Sequence, residues 1–176
     1  MEIPYDIGNI PGPKMARAVT VDEFVRRFKK SKRPLLVVGS EVSDRELRKR
    51  VEKLIDMGIP TVATGGSIRY FVEDGYAQKV KVSLLHELTN MLLDESWMGF
   101  DGKGNYDFVM FLGITYYLAS QMLSALKNFA PHLSTASIDR YYHPNADISF
   151  KNQFKDEKFF EMLDEIIEKI GEDKNE

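Results

Sequence analysis

The chain has 176 residues, 43% of them hydrophobic and 29% charged, with 24 Lys and Arg against 27 Asp and Glu and a net charge of -3; it is long enough for one soluble domain with a real core and lacks the basic footprint of a general nucleic-acid binder. Cys is 0, which excludes a disulfide framework, a thiolate nucleophile, a Cys-ligated zinc and a self-contained iron–sulfur cluster. No stretch approaches the ~18 unbroken apolar residues of a membrane span, and Met1-Glu2-Ile3-Pro4 lacks the regions of a signal peptide, so a cytoplasmic protein away from the membrane is expected.

Residues 1–19 read as an extended arm. Pro4, Pro11 and Pro13 with Gly8 and Gly12 exclude a continuous helix or central strand, while Ile3, Tyr5, Ile7, Ile10 and Met15 require something to pack on: the domain's own surface or a partner subunit. A single domain is expected over residues 20–170. Thr20 and Glu23 form a capping-box pair ahead of Val21, Phe24, Val25 and Phe28 at helical spacing, and the helix ends in Lys29, Lys30, Lys32 and Arg33, a basic cluster that complements its dipole. Pro34–Ser40 is a short apolar run with the look of a strand buried on both faces. Ser43 with Glu46 caps the next helix, which turns Leu47, Val51, Leu54 and Ile55 inward and closes at Gly58. Ile59–Ala63 is a second strand, and Ser67 caps a short helix carrying Ile68, Phe71 and Val72 up to Gly75. Val80–Val82 is a third strand, with Ser83 ahead of a helix bearing Leu84, Leu85, Leu88, Met91 and Leu92. Asp94–Tyr106 is irregular, holds Trp97, and ends in the turn residues Asp101–Asn105. Asp107–Gly113 and Leu133–Ile138 are further strands around a helix at Tyr116–Phe129, Asp147–Phe150 adds a short edge strand, and Glu157–Ile170 is an amphipathic helix before a charged tail at 171–176. Strands alternating with helices, without hairpin signatures, predict an α/β fold: three layers, α/β/α, around a mainly parallel, doubly wound sheet.

Ligands of such sheets bind outside the carboxyl ends of the strands. Those ends supply Gly39 and Ser40, Thr64, Gly65, Gly66 and Ser67, Gly113 and Thr115, and Asp139 and Arg140 as candidate cofactor-binding residues: glycine amides and helix-start hydroxyls for phosphate, Asp139 for ribose hydroxyls, Arg140 for a phosphate. The alternative is that the glycines only permit tight turns. The dinucleotide fingerprint G-x-G-x-x-G and the phosphate loop G-x-x-x-x-G-K-[ST] are both absent, and Glu41 would repel a phosphate. Of the histidines, His86 lies on a helix, His132 at a helix end and His143 in a loop, where it can face Asp139 and Asp147; none forms a helical metal pair, and no catalytic residues or metal ligands are expected. Trp97 and the loop residues Tyr141, Tyr142 and His143 beside Arg140 have the composition of a partner interface; the alternative is core packing for one member of each of the pairs Tyr116-Tyr117 and Tyr141-Tyr142.

The wording of the chain is itself informative. Asp101–Asp107 running into Phe111–Ile114, Phe129–Leu133 and Ser137–Asp147, together with Ile10–Lys14, Arg33–Gly39, Ala63–Gly65 and Leu85–Asn90, resemble the epsilon-subunit family of archaeal acetyl-CoA decarbonylase/synthase complexes, from the arm to the last helix. The resemblance implies a subunit of a multi-subunit complex that cleaves or makes acetyl-CoA in methanogens and related archaea. It implies an alpha subunit as partner in an alpha2-epsilon2 carbon monoxide dehydrogenase unit, with nickel and iron–sulfur clusters held by alpha. It further implies the DHS-like FAD/NAD-binding fold found as the middle domain of thiamine diphosphate enzymes, and a non-catalytic role, either stabilising alpha or helping to pass electrons to FAD at the subunit interface.

Overall fold

The computed structural model describes residues 15–172. Most of the expected arm, residues 1–14, and residues 173–176 of the expected tail lie outside the described residues. In chain order the elements are β1 (Arg17–Ala18), α1 (Val21–Lys30), β2 (Pro34–Val38), α2 (Arg45–Asp56), β3 (Thr61–Thr64), α3 (Ile68–Glu73), β4 (Lys81–Ser83), α4 (Leu85–Leu93), β5 (Phe108–Leu112), α5 (Tyr116–Phe129), β6 (Ser134–Ser137), β7 (Ile148–Ser149) and α6 (Asp156–Gly171). The strands form one sheet in the order β1-β7-β6-β5-β2-β3-β4, with every pair parallel.

The central strands are apolar at every position because helices cover both faces of a parallel sheet. Leu36, Val38, Phe108, Met110 and Leu112 pack with the inner sides of α1, α2 and α6. Leu35, Val37, Val109 and Phe111 pack with α4 and α5. Burying each such side chain is worth about 1.5–3 kcal/mol, which makes β2 and β5 the centre of the fold. The expected three-layer α/β/α architecture is present. No helix of the described residues is long and apolar enough to cross a membrane.

Several local expectations are met by different atoms. The Thr20 capping box is present, with Glu23 N–H donating to Thr20 Oγ1 at 3.3 Å and Thr20 N–H to Glu23 Oε2 at 2.9 Å. Ser43 does not cap α2: it is drawn into a 3-10 turn at Ser40–Ser43, and Asp44 takes over as cap by accepting from Glu46 N–H at 2.8 Å. Ser67 does not cap α3 either, because its hydroxyl donates back to the Thr64 carbonyl at 2.6 Å. β7 is not an edge strand. Arg17 and Ala18 cover it as β1, so the sheet takes in residues of the expected arm. Arg17 N–H donates to the Asp147 carbonyl at 3.0 Å and Val19 N–H to that of Ser149 at 3.1 Å. This end of the arm thus packs on its own domain.

The path sets up the functional edge. From β2 the chain winds outward through β3 to β4, then crosses back to β5 on the other side of β2 and winds through β6 to β7. The reversal lies between β2 and β5, where open α/β sheets form their ligand crevice.

Candidate functional site

Gly39 follows β2 and Gly113 follows β5, side by side at that reversal. Gly39 N–H donates to the Leu112 carbonyl at 3.1 Å, and Glu41 N–H to that of Gly113 at 3.0 Å. A Cβ on Gly39 would stand 2.4 Å from the Gly113 oxygen and 2.5 Å from Ile114 Cα. Glycine is required here for backbone to meet backbone, and Gly113 also has a φ of 67°. The contact closes the floor of the crevice. Glu41 lies over it, with its Cβ 3.2 Å from where a Gly113 side chain would begin.

Asp139, just past β6, braces the same turn from below. Its Oδ2 accepts from Gly113 N–H at 3.2 Å and its Oδ1 from Arg140 N–H at 3.0 Å. Burial, and then the charge of Glu41, push its carboxyl up to about 7. Glu41 is exposed by surface area, but the packing around its carboxyl still holds it above the ordinary value. The Arg140 guanidinium is bonded to Asp156 and lies 5.1 Å over the Phe159 ring.

His143 is buried and stacks on Tyr116, the first residue of α5, with ring centroids 4.2 Å apart. Its Nε2 stands 4.0 Å from Asp139 Oδ2. Burial pushes the imidazole down to about 4, and Nδ1 has no hydrogen-bond partner. The structure thus brings together His143 and Asp139 of the conceivable His–Asp cluster. Asp147 is directed elsewhere, its Oδ2 accepting from Thr135 N–H at 2.8 Å.

The second candidate cradle is differently arranged. Thr64 donates its hydroxyl to the Val38 carbonyl at 2.9 Å, and Ser67, buried, donates to Thr64. Gly65, with a φ of 56°, and Gly66 are exposed, and nothing stands within 4 Å of a Cβ at either, so no close approach demands glycine there. Ser40 is exposed at the start of its 3-10 turn, and Thr115 is exposed at the start of α5 without a side-chain cap bond. These residues do not fit a flavin pyrophosphate at the strand reversal. The floor is closed, Glu41 lies over it, the Asp139 carboxyl is buried beneath it, and Arg140 is bonded to Asp156. Among the described residues, no group of three or more His, Asp or Glu is arranged to hold a metal ion.

The four interface candidates separate. Trp97 lies at the amino end of the sheet, packed edge-on against Phe100 with centroids 5.1 Å apart and against Tyr106 at 5.7 Å. Tyr142 is a core residue at 1% exposure, its hydroxyl donating to the Ala16 carbonyl and its carbonyl accepting from Tyr116. His143 is buried beside it. Tyr142 and His143 therefore face their own domain rather than an open surface, because the loop folds under the end of the arm and onto α5. Tyr141 is 46% exposed and its ring pairs with that of Phe154, which is 77% exposed. Tyr117 is 63% exposed at the same end of the sheet. The sequence reading passed over Phe154. Its signal was a lone aromatic within the polar run Lys151–Asp156, off any periodicity.

The family described as CO dehydrogenase beta subunit/acetyl-CoA synthase epsilon subunit matches residues 1–167. The chain is similar to the acetyl-CoA decarbonylase/synthase complex subunit epsilon of Methanothrix soehngenii, 45% identical over 94% of this chain and 89% of that protein. It is similar to subunit epsilon 1 of Archaeoglobus fulgidus, 40% identical over 94% of this chain and 91% of that protein. It is also similar to subunit epsilon of Methanothermobacter thermautotrophicus, 42% identical over 89% of this chain and 90% of that protein.

Proposed function

Because the chain belongs to the CO dehydrogenase beta subunit/acetyl-CoA synthase epsilon subunit family, we propose that it is the epsilon subunit of a cytoplasmic acetyl-CoA decarbonylase/synthase complex, a non-catalytic component that binds and stabilises the carbon monoxide dehydrogenase alpha subunit in an alpha2-epsilon2 unit. The observation that carries this reading is a chain of this family with 0 Cys. Iron–sulfur clusters are held mainly by thiolates, so the nickel and iron–sulfur chemistry of CO oxidation and acetyl-CoA cleavage falls to a partner. What this chain supplies is surface. Its carboxyl-end loops and the start of α5 present Tyr141, Phe154 and Tyr117 to solvent, and aromatic residues are enriched where proteins meet.

The second reading, a flavin- or nucleotide-binding electron-transfer module with the DHS-like fold, draws on the position of the strand reversal. The closed Gly39–Gly113 floor and the carboxyl groups of Glu41 and Asp139 weigh against it for the chain alone, so a flavin in the complex would need groups from a second subunit.

Two measurements test these readings. The isolated chain, reconstituted with iron, sulfide and nickel, should show no turnover of a dye acceptor under CO, and turnover would overturn the non-catalytic assignment. The wild-type chain should co-purify with a co-expressed alpha subunit and raise alpha's thermal stability; failure to associate would overturn the subunit assignment.

A further inference from the structure

Between the turn after β2, the start of α2, the loop after β6 and α6 lies an open cleft of about 370 Å³, walled by Glu41, Asp44, Leu47, Arg140, Tyr141 and Phe160. Three features fix what it suits. First, the Glu41 carboxylate accepts no hydrogen bond and forms no ion pair among the described residues; the packing around it disfavours the charge, and the Arg140 guanidinium offsets this only from a distance. A partly desolvated carboxylate without a partner is a group left for something else to satisfy. Second, the nearest cation does not satisfy it. Arg140 is bonded to Asp156 and lies over Phe159, and Asp44, which caps α2, adds a further negative charge to the wall. Third, Tyr141 lines the cleft and is itself exposed, its ring paired with that of exposed Phe154, centroids 6.4 Å apart. Aromatic faces beside a carboxylate attract an ammonium or guanidinium group.

We propose that this cleft receives a lysine or arginine side chain of the partner protein, its cation on Glu41 and its methylenes along Tyr141. The proposal rests on the subunit reading above and names the chemistry by which that partner is held. The strand reversal, where folds of this kind commonly bind phosphates, has here been turned to the opposite charge. A buried charge-assisted pair at the centre of an interface is among the contacts that dominate affinity.

The test uses the full chain and the alpha subunit, with affinity measured at low and high salt for wild type, Glu41→Gln, Tyr141→Ala and the control Phe129→Ala, an exposed aromatic at the opposite end of α5. Glu41→Gln, nearly isosteric and with no side-chain hydrogen bond or ion pair to lose, should not lower the melting temperature of the free chain, since it removes a charge that the packing disfavours. It should weaken assembly about tenfold or more and reduce its salt dependence. Tyr141→Ala should weaken assembly similarly, and Phe129→Ala should not. If Glu41→Gln binds as wild type does, with the same salt dependence, the cationic occupant is overturned, whatever Tyr141→Ala does, while the subunit reading stands. A wild-type chain that does not associate with alpha overturns both.

Discussion

An Asp139→Asn variant should part from the wild type in stability as pH rises. The Asp139 carboxyl is raised from 3.8 to about 7, first by burial and then by the charge of Glu41. The folded chain therefore holds a proton that the unfolded chain has released. The stabilisation belonging to that proton is complete below about 3.8 and is lost as pH climbs through 7. At 1.36 kcal/mol for each tenfold change, the gap is worth at most roughly 4 kcal/mol. His143 has the opposite sign. Its imidazole is lowered from 6.5 to about 4 by burial, so the stability it supports is complete above 6.5 and falls away as pH drops through 4, by at most roughly 3 kcal/mol. Between about pH 4 and 6.5 the two slopes oppose each other, and wild type hides both. Urea unfolding from pH 4 to 8 separates them. The stability of Asp139→Asn minus that of wild type should grow by about 3–4 kcal/mol across the range. The same difference for His143→Phe, which keeps a ring against Tyr116, should grow by about 3 kcal/mol as pH falls. Losing one of the two amide bonds that Asp139 accepts shifts the first curve by about 1 kcal/mol at all pH values and leaves its slope alone. A difference independent of pH for both variants would refute the buried, neutral pair.

Gly39→Ala should cost about 2–3 kcal/mol or more in urea unfolding, because the new Cβ meets the Gly113 carbonyl and Ile114 backbone rather than a yielding side chain; a stability equal to wild type would show that the Gly39–Gly113 contact relaxes freely. Tyr142→Phe should cost about 1–2 kcal/mol and speed amide exchange at Arg17 and Val19, since it removes the hydroxyl that holds the Ala16 carbonyl; unchanged exchange there would mean the β1–β7 pairing secures the arm by itself.

The sequence by itself determined the element order and the layering. Runs such as Leu35–Val38 and Phe108–Leu112 are apolar at every position, which only a strand covered on both faces requires, and the spacing of Leu47, Val51, Leu54 and Ile55 marks a helix face. Through the absence of Cys it also excluded thiolate ligands from this chain, and through its wording it pointed to the family. Tertiary structure decided everything that depends on which strands become neighbours. Gly39 and Gly113 are 74 positions apart, and only when β2 and β5 are laid side by side does it emerge that their backbones meet there. Tyr141 and Tyr142 are consecutive and chemically alike, yet one faces solvent and the other lies in the core, because the loop after β6 is pinned by Asn152 and by the end of the arm. The charge of the site was equally hidden. Glu41 and Asp139 are distant in sequence, and only the parallel register brings both to the strand reversal, where burial raises both carboxyl groups and the charge of Glu41 raises Asp139 further. Local pattern reports which face of an element is buried; it does not report which face of another element buries it.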